Sequence, residues 1–355
     1  MKILALNLPQ FHEVPENNEW WGKGFTEWTN VKNAKPVYKG HLQPMEPLDD
    51  YYYDLSKKED VVNQTVLAKK YNVSGFVYFH YWYEGRHMLE KPCEILLDSP
   101  EADIEYCFCW ANHSWTRAWD GKENQVLLGQ TYGVKDDWEA HITYFMPFFK
   151  DKRYIKNDNR PMLVIYNAGA IPDVDEMVAY WDSKLKEEGF DGIYIAEYIS
   201  SKNMTPGCKT SQAVYEDEPM YTCRFEINAF QKARRVICKK LLIPDYQNYD
   251  NLWKLLLKKK RTYNGRKIIQ GCFTAWDNSP RRGKKGPMIV KGASPEKFRK
   301  YFECLVRNER TDVSMDYIII NAWNEWGEGA ILEPSKADGY GYLEAVRDVM
   351  EKENK

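Results

Sequence analysis

Long apolar runs are missing from this 355-residue sequence. A membrane-crossing helix needs about 18 or more apolar residues in succession, so none is expected. An excess of either charge is missing too: 50 Lys+Arg stand against 52 Asp+Glu, a formal net charge of −2. Nucleic-acid binders hold phosphates with clustered positive charge, so no nucleic-acid partner is expected. No GxGxxG follows the first apolar run and no GxxxxGK[ST] occurs anywhere, which removes the two common phosphate-cradling loops. The 8 cysteines are scattered without a CxxC pair and read as reduced packing residues. There is no HExxH spacing among the 6 histidines, so neither a metal nor another cofactor is expected. The segment Met1–Pro9 has one basic residue and an apolar run that stops at Asn7. That is too short for a secretory leader, so the segment reads as a first buried strand and a cytoplasmic location is expected. Internal repeats, low-complexity tracts and linkers are absent as well.

Aromatic residues are abundant. The 13 Trp, 25 Tyr and 14 Phe make up 15% of the chain, within a hydrophobic fraction of 43% that is ample for a core. Trp and Tyr cluster at Trp20-Trp21, Trp28, Tyr51–Tyr53, Tyr81–Tyr83, Trp110, Trp115, Trp119, Trp276, Trp323 and Trp326. Many of these rings belong to the core. Their clusters also sit among Asn, His, Asp and Glu in loop-like sequence, as in a concave site of rings and a few polar groups. Sugars present flat C–H faces and many hydroxyls, and such a lining suits them.

Eight short apolar runs are predicted as strands: Ile3–Leu8, Gly75–Phe79, Tyr106–Trp110, Met162–Tyr166, Ile193–Ala196, a weaker one at Ala213–Tyr215, Ile268–Phe273 and Tyr317–Ile320. They are rich in β-branched and aromatic residues and mostly lack alternation, the mark of strands buried on both faces. Helical spacing appears over Glu59–Tyr71, Asp136–Phe149, Asp173–Glu188, Tyr249–Lys260, Pro295–Asn308 and Tyr342–Lys352. Ser294-Pro295-Glu296 reads as a helix cap with Pro in the first turn. The basic run 258–261 reads as a solvated helix end. Strand–helix alternation implies a parallel sheet. Eight strands favour a single-domain α/β fold, a (β/α)8 TIM barrel with long βα loops over 9–58 and 198–248. A doubly wound open sheet is second, weakened by the missing glycine signature.

Barrel enzymes carry their chemistry on residues that follow the strands. Here those are Gln10 and His12; His80, Trp82 and Tyr83; Asn112, His113 and Trp115; Asn167; Glu197; Trp276, Asp277 and Asn278; and Asn321, Trp323, Asn324, Glu325, Trp326 and Glu328. Glu325 and Glu328 stand three apart in a Trp- and Gly-rich segment. Breaking a glycosidic bond needs one carboxyl kept protonated and one ionised, and Trp323 and Trp326 would bury such a pair. The bland alternative is a pair of surface acids at a helix start. Gln10, His12, Glu27, Trp28, His80, Trp82, Trp110, Asn112, Trp115, Tyr166, Glu197, Trp276, Asp277, Trp323, Asn324, Trp326 and Glu333 are the candidate substrate-binding residues. Arg117, Arg281 and Arg282 read as clamps for an anionic sugar or phosphate, and Arg281-Arg282 read equally as a solvated loop.

The segments LPQFHEVPENNEWWGKGFTEWTNV (8–31), GHLQPMEPLDDYYYDL (40–55), FHYWYEG (79–85), FCWANHSWTRAWDG (108–121), RPMLVIY (160–166), GCFTAWDNSPRR (271–282) and AWNEWGEGAILEP (322–334) resemble the WbsX family. That family is similar to the glycoside hydrolase family 99 endo-α-mannosidases and endo-mannanases. The resemblance covers nearly the whole chain and implies a (β/α)8 barrel and retaining glycosidic-bond chemistry on an oligo- or polysaccharide. In family 99 an N-E-W-x-E segment supplies both carboxylates. By that resemblance Glu325 would act as base on the substrate's own 2-hydroxyl, giving a 1,2-anhydro sugar, and Glu328 as acid/base. WbsX members are named glycosyltransferases because their genes lie in O-antigen and other surface-polysaccharide clusters. Transfer in lipopolysaccharide or capsule biosynthesis therefore stands beside hydrolysis, and a non-catalytic glycan-binding barrel is the third reading.

Overall fold

A computed structural model of the chain describes residues 1–117, 122–200, 205–258, 262–309 and 315–353. Trp119, the side chain of Arg117 and residues 259–261 of the basic run lie outside the described residues.

All eight expected strands are present and they close on one another. They are β1 (Lys2–Asn7), β2 (Gly75–Tyr83), β3 (Glu105–Trp110), β4 (Arg160–Ile165), β5 (Tyr194–Ile199), β6 (Ala213–Glu216), β7 (Lys267–Phe273) and β8 (Tyr317–Asn321). Each pairs in parallel with the next. The circle shuts where β8 meets β1, from Lys2↔Tyr317 to Ala5↔Ile320. The fold is a (β/α)8 barrel. Its strands are buried on both faces, as in the fully buried YIAEYI of β5 and YIIIN of β8. Helices cover the outside and side chains fill the inside, which is why the runs do not alternate.

Helices α1 (Pro15–Trp21), α2 (Glu27–Asn33) and α3 (Lys58–Lys70) follow β1. Next come α4 (Lys91–Leu97) after β2, α5 (Lys135–Lys150) after β3 and α6 (Val174–Glu187) after β4. After β6 come α7 (Met220–Phe225), α8 (Ala229–Leu241) and α9 (Tyr249–Lys258). α10 (Ser279–Arg282) and α11 (Pro295–Glu309) follow β7, and α12 (Gly341–Glu353) follows β8. The expected cap of α11 forms, with Ser294 Oγ accepting from the Lys297 amide at 3.3 Å. The stretches 9–58 and 198–248 are not loop throughout, because α1, α2, α7 and α8 lie within them. No helix of the described residues is long and apolar enough to cross a membrane.

The crossover from β5 to β6 has no helix among its described residues. Glu197 fastens it instead. Its carboxylate accepts from the amides of Gly207 (2.6 Å) and Cys208 (3.2 Å) and from Ser211 Oγ (2.5 Å). Arg266 closes the same knot by donating to Ser211 Oγ and the Cys208 carbonyl.

Candidate active site

A cleft of about 820 Å³ opens at the C-terminal ends of the strands. Which side chains enter it is decided by the two-residue period of a strand. On β2, Phe79 and Tyr81 line the cleft. His80 and Trp82 point the other way, into the layer between barrel and α5. There the Nε2 atoms of His80 and His141 lie 2.9 Å apart, and Trp82 stacks on His141 and donates to Asp137 at 2.9 Å. Burial lowers the His80 pKa to about 3, so its ring is neutral.

The loop after β8 aims the two glutamates. Asn324 and Glu325 pair antiparallel with Ile331 and Ala330 across a turn at Trp326–Glu328. Gly329 turns the chain at φ 60°, in the left-handed region that suits glycine. Asn324 ties this loop to the one after β1, accepting from the Leu8 amide at 2.7 Å and donating to the Leu8 carbonyl at 3.0 Å. The Asp277 amide donates to the Glu328 carbonyl at 2.6 Å.

Arg281, on α10, is the hub. Its Nε reaches Glu27 Oε1 at 2.8 Å, its Nη2 reaches Glu325 Oε2 at 2.7 Å, and its Nη1 reaches Glu328 Oε1 at 2.9 Å. One fork-shaped cation thus holds three carboxylates, from α2 and from the loop after β8. It is neither a clamp for an anion nor a solvated loop residue: carboxylates already occupy its donors and its side chain is 14% exposed. Gly327 makes the approach possible. A Cβ there would collide with Glu27 Oε1 and crowd Arg281 Nε.

Three acids around a single cation cannot all ionise cheaply. Burial, aided by the charges of Glu325 and Glu27, pushes the Glu328 carboxyl up to about 7 against the pull of Arg281. Burial also raises Glu27. Arg281 keeps its proton well above the usual range: burial opposes its charge, but the three acids outweigh it. Glu328 has the most open carboxylate of the three, with 24% of its side chain exposed against 9% for Glu325 and 0% for Glu27.

Of the residues singled out in the sequence, Gln10, Trp115, Tyr166, Trp276, Glu325 and Glu328 meet in the cleft, and His113, Asn278, Asn321, Arg281 and Arg282 line it with them. Gln10 Nε2 and Trp276 Nε1 are buried there without an acceptor among the described residues. The other candidates lie outside its lining, each for a visible reason. His12 donates from Nδ1 to the Pro9 carbonyl at 2.9 Å. Trp28 packs between Tyr53 and Trp326 and donates to the Tyr53 carbonyl. Trp110 packs against His141 and Trp181 in the same outer layer as His80 and Trp82. Asn112 bridges to the Asn167 backbone with both ends of its amide, at 2.7 and 2.8 Å. Glu197 holds the β5–β6 crossover, and Asn324 joins two loops. Trp323 lies fully buried against Phe76. Trp326, Tyr53 and Gln64 all donate to Glu333, whose pKa burial raises to about 8. Glu27 sits beneath Arg281. For Asp277, burial raises the pKa, but hydrogen bonds from His41, Gln43 and Ser279 outweigh it and hold the carboxyl below its usual value.

Several cleft residues were absent from the candidates. Tyr81 and Tyr198 sit on runs so evenly apolar that the sequence hides which residues face inward. Asp217 directly follows the short sixth strand, the one whose apolar signal is weakest. It accepts from Asn321 Nδ2 at 3.2 Å. Burial, with Glu218 and Glu328 adding, holds its pKa well above the usual value.

Residues 3–346 match the family described as glycosyltransferase WbsX. The protein WxcX of Xanthomonas campestris pv. campestris, itself uncharacterized, is 32% identical over 352 residues, 98% of this chain and 49% of WxcX. The chain thus spans about half the length of the curated relatives it matches. Among solved structures, a glycoside hydrolase family 99 endo-α-mannosidase from Bacteroides thetaiotaomicron superposes with TM-score 0.56 at 13% identity, covering 99% of this chain and 96% of that one. A "glycoside hydrolase-like protein" superposes with TM-score 0.59 at 13% identity, covering 98% and 93%. At these identities the likeness is one of fold.

Proposed function

The chain belongs to the WbsX glycosyltransferase family, and from that membership and the cleft above we propose that it acts on glycosidic bonds of a surface polysaccharide or its precursor, with retention at the anomeric carbon. Glu325 is the base and Glu328 the acid/base. The observation that carries this reading is the sharing of one guanidinium by Glu325 and Glu328 in a ring-lined cleft, with the more open carboxyl raised to about 7. A general acid works best when its pKa lies near the operating pH.

In the first step Glu325 takes the proton of the sugar's 2-hydroxyl. That oxygen attacks the anomeric carbon and the glycosidic bond breaks. Glu328 gives its proton to the leaving oxygen, and a 1,2-anhydro sugar remains. In the second step Glu328 takes a proton from the acceptor, whose oxygen opens the anhydro ring at the anomeric carbon. Glu325 returns its proton to O2. Two inversions leave the configuration unchanged. The acceptor is water in hydrolysis and a sugar hydroxyl in transfer. Arg281 holds both carboxyls in place and moves no proton. The rings of Trp115, Tyr166 and Trp276 suit sugar C–H faces, and the Gln10 Nε2 and Trp276 Nε1 donors suit hydroxyl oxygens.

A panel of activated aryl glycosides and polymeric glycans, with sugar acceptors supplied, tests the reading on wild type, Glu325→Gln and Glu328→Gln. Removing an acid/base group costs about 10²–10⁴ in rate. Near-normal turnover of the polymeric glycans by either variant rejects the assignment, as does a product of inverted configuration.

A further inference from the structure

One acid of the cleft has no part in the steps above. Asp217 lines the cleft and is 4% exposed. Its amide donates to the Ile199 carbonyl at 2.9 Å, which carries the β5–β6 pairing on to the first residue after β6 and fixes where the side chain starts. Asn321, the last residue of β8, donates from Nδ2 to Asp217 Oδ1 at 3.2 Å and to the Glu218 carbonyl at 2.9 Å. The Tyr198 hydroxyl, from β5, is the other hydrogen-bonding neighbour of the carboxyl. Side chains from β5 and β8 thus hold Asp217 in place at the cleft wall.

Neither neighbour is a cation, and among the described residues no cation pairs with Asp217. Arg281 is taken by Glu27, Glu325 and Glu328. The charges that do reach Asp217 are those of two acids, Glu218 and Glu328. A carboxylate buried in this way is costly, and the group keeps its proton instead. A protonated carboxyl has one O–H to donate. Asn321 and Tyr198 donate toward it, so that O–H is left for a ligand. Two more donors stand in the same cleft, for Gln10 Nε2 and Trp276 Nε1 are buried without an acceptor among the described residues. Such donors match the lone pairs of hydroxyl, ring and acyl oxygens. They do not match an ammonium group, which can only donate.

We propose that Asp217 is a sugar-binding residue, donating a hydrogen bond from its carboxylic O–H to a hydroxyl or acyl oxygen of the saccharide near Glu328, and that the cleft therefore takes a neutral or N-acylated sugar there rather than one bearing a free ammonium. Asp217 transfers no proton in the reaction; it selects the sugar. The proposal rests on reading the cleft as a saccharide site, but not on which proton Glu325 or Glu328 moves.

Binding without turnover tests this. The chain carrying Glu325→Gln, in which cleavage is expected to stall, is applied to an array of neutral and N-acetylated glycans and to the same glycans after de-N-acetylation. The measurement is repeated with Asp217→Asn or Asp217→Ala added. Asp217→Asn keeps a neutral donor, and an acceptor for Asn321, in nearly the same shape, so binding close to the parent's is expected. Asp217→Ala loses both and is expected to weaken binding about tenfold, the net worth of one hydrogen bond. De-N-acetylated glycans are expected to bind no better than their parents. Infrared spectra read the same carboxyl whether or not Asp217→Ala folds. A protonated C=O stretch that vanishes in Asp217→Asn is expected at neutral pH, and it is expected to shift when a glycan binds. Undiminished binding by Asp217→Ala, equal losses in the two variants, a preference for the free amine, or the lack of such a band overturns the proposal and leaves the Glu325–Glu328 reading standing. Normal turnover of a glycan by Glu328→Gln does the reverse, and an array on which no glycan binds overturns both.

Discussion

Replacing Arg281 by Met removes the cation from three carboxylates while keeping most of the side chain's volume. Removing one partner of a buried ion pair costs about 3–5 kcal/mol, because the remaining charge is left uncompensated. Here Glu27, Glu325 and Glu328 would all be left so. The cost has to depend on pH. Arg281 pulls the Glu328 and Glu27 carboxyls down, and without it both rise further. As pH falls below about 7 the Glu328 carboxyl takes up a proton, Glu27 is raised in the same direction, and the penalty shrinks. At pH 8 they must be buried charged, or hold protons against the solvent, and the full penalty applies. Unfolding entropy of about 2.1 cal/mol/K per residue amounts to about 0.75 kcal/mol/K over this chain. The expected loss is therefore about 4–7 °C in Tm at pH 8 and clearly less at pH 5.5. Thermal unfolding of wild type and Arg281→Met across that range measures it. A penalty below about 1 kcal/mol, or one that does not change with pH, refutes the triple pairing.

Gly327→Ala is expected to cost about 1–3 kcal/mol by overpacking, since its Cβ drives Glu27 off Arg281; normal stability and turnover would contradict the close approach. Glu333, raised to about 8, binds more protons folded than unfolded between about pH 4.3 and 8, so stability falls as pH rises through that window. Glu333→Gln is expected to flatten the fall, and an unaltered Tm-against-pH curve speaks against the shift. If Glu328 must be protonated to act, kcat/KM declines as pH rises through about 7, and a profile flat from pH 6 to 9 argues against that role. Tyr81→Ala is expected to raise KM for a saccharide. Trp82→Ala is expected instead to cost about 3–5 kcal/mol of stability with KM unchanged, and the reverse pattern would overturn the parity of β2.

The barrel was legible because each of its strands is a short, saturated apolar run, and eight such runs separated by helical patterns leave few architectures. That same saturation hid which residues face in. In GFVYFHYWY nothing in composition separates Phe79 and Tyr81 from His80 and Trp82, and the polar members, read as ligand contacts, face the helices. Only the register of the closed sheet fixes the parity. The carboxylate pair stood out in one loop, but its organiser did not, for Arg281 arrives 44 residues earlier in the chain and Glu27 254 residues before that. Helix α8 was hidden for another reason: its apolar residues follow helical spacing but are interleaved with cations and find no core.

The dependence of the two glutamates on the leaving group tests the central claim most directly. kcat/KM would be compared for wild type, Glu325→Gln and Glu328→Gln on a dinitrophenyl glycoside, whose leaving group needs no proton, and on a glycan, whose leaving group does. The account expects Glu325→Gln to be impaired on both substrates. It expects Glu328→Gln to be impaired by about 10²–10⁴ on the glycan and far less in the bond-breaking step of the dinitrophenyl glycoside. Equal impairment of Glu328→Gln on the two substrates, or none on the glycan, would contradict it.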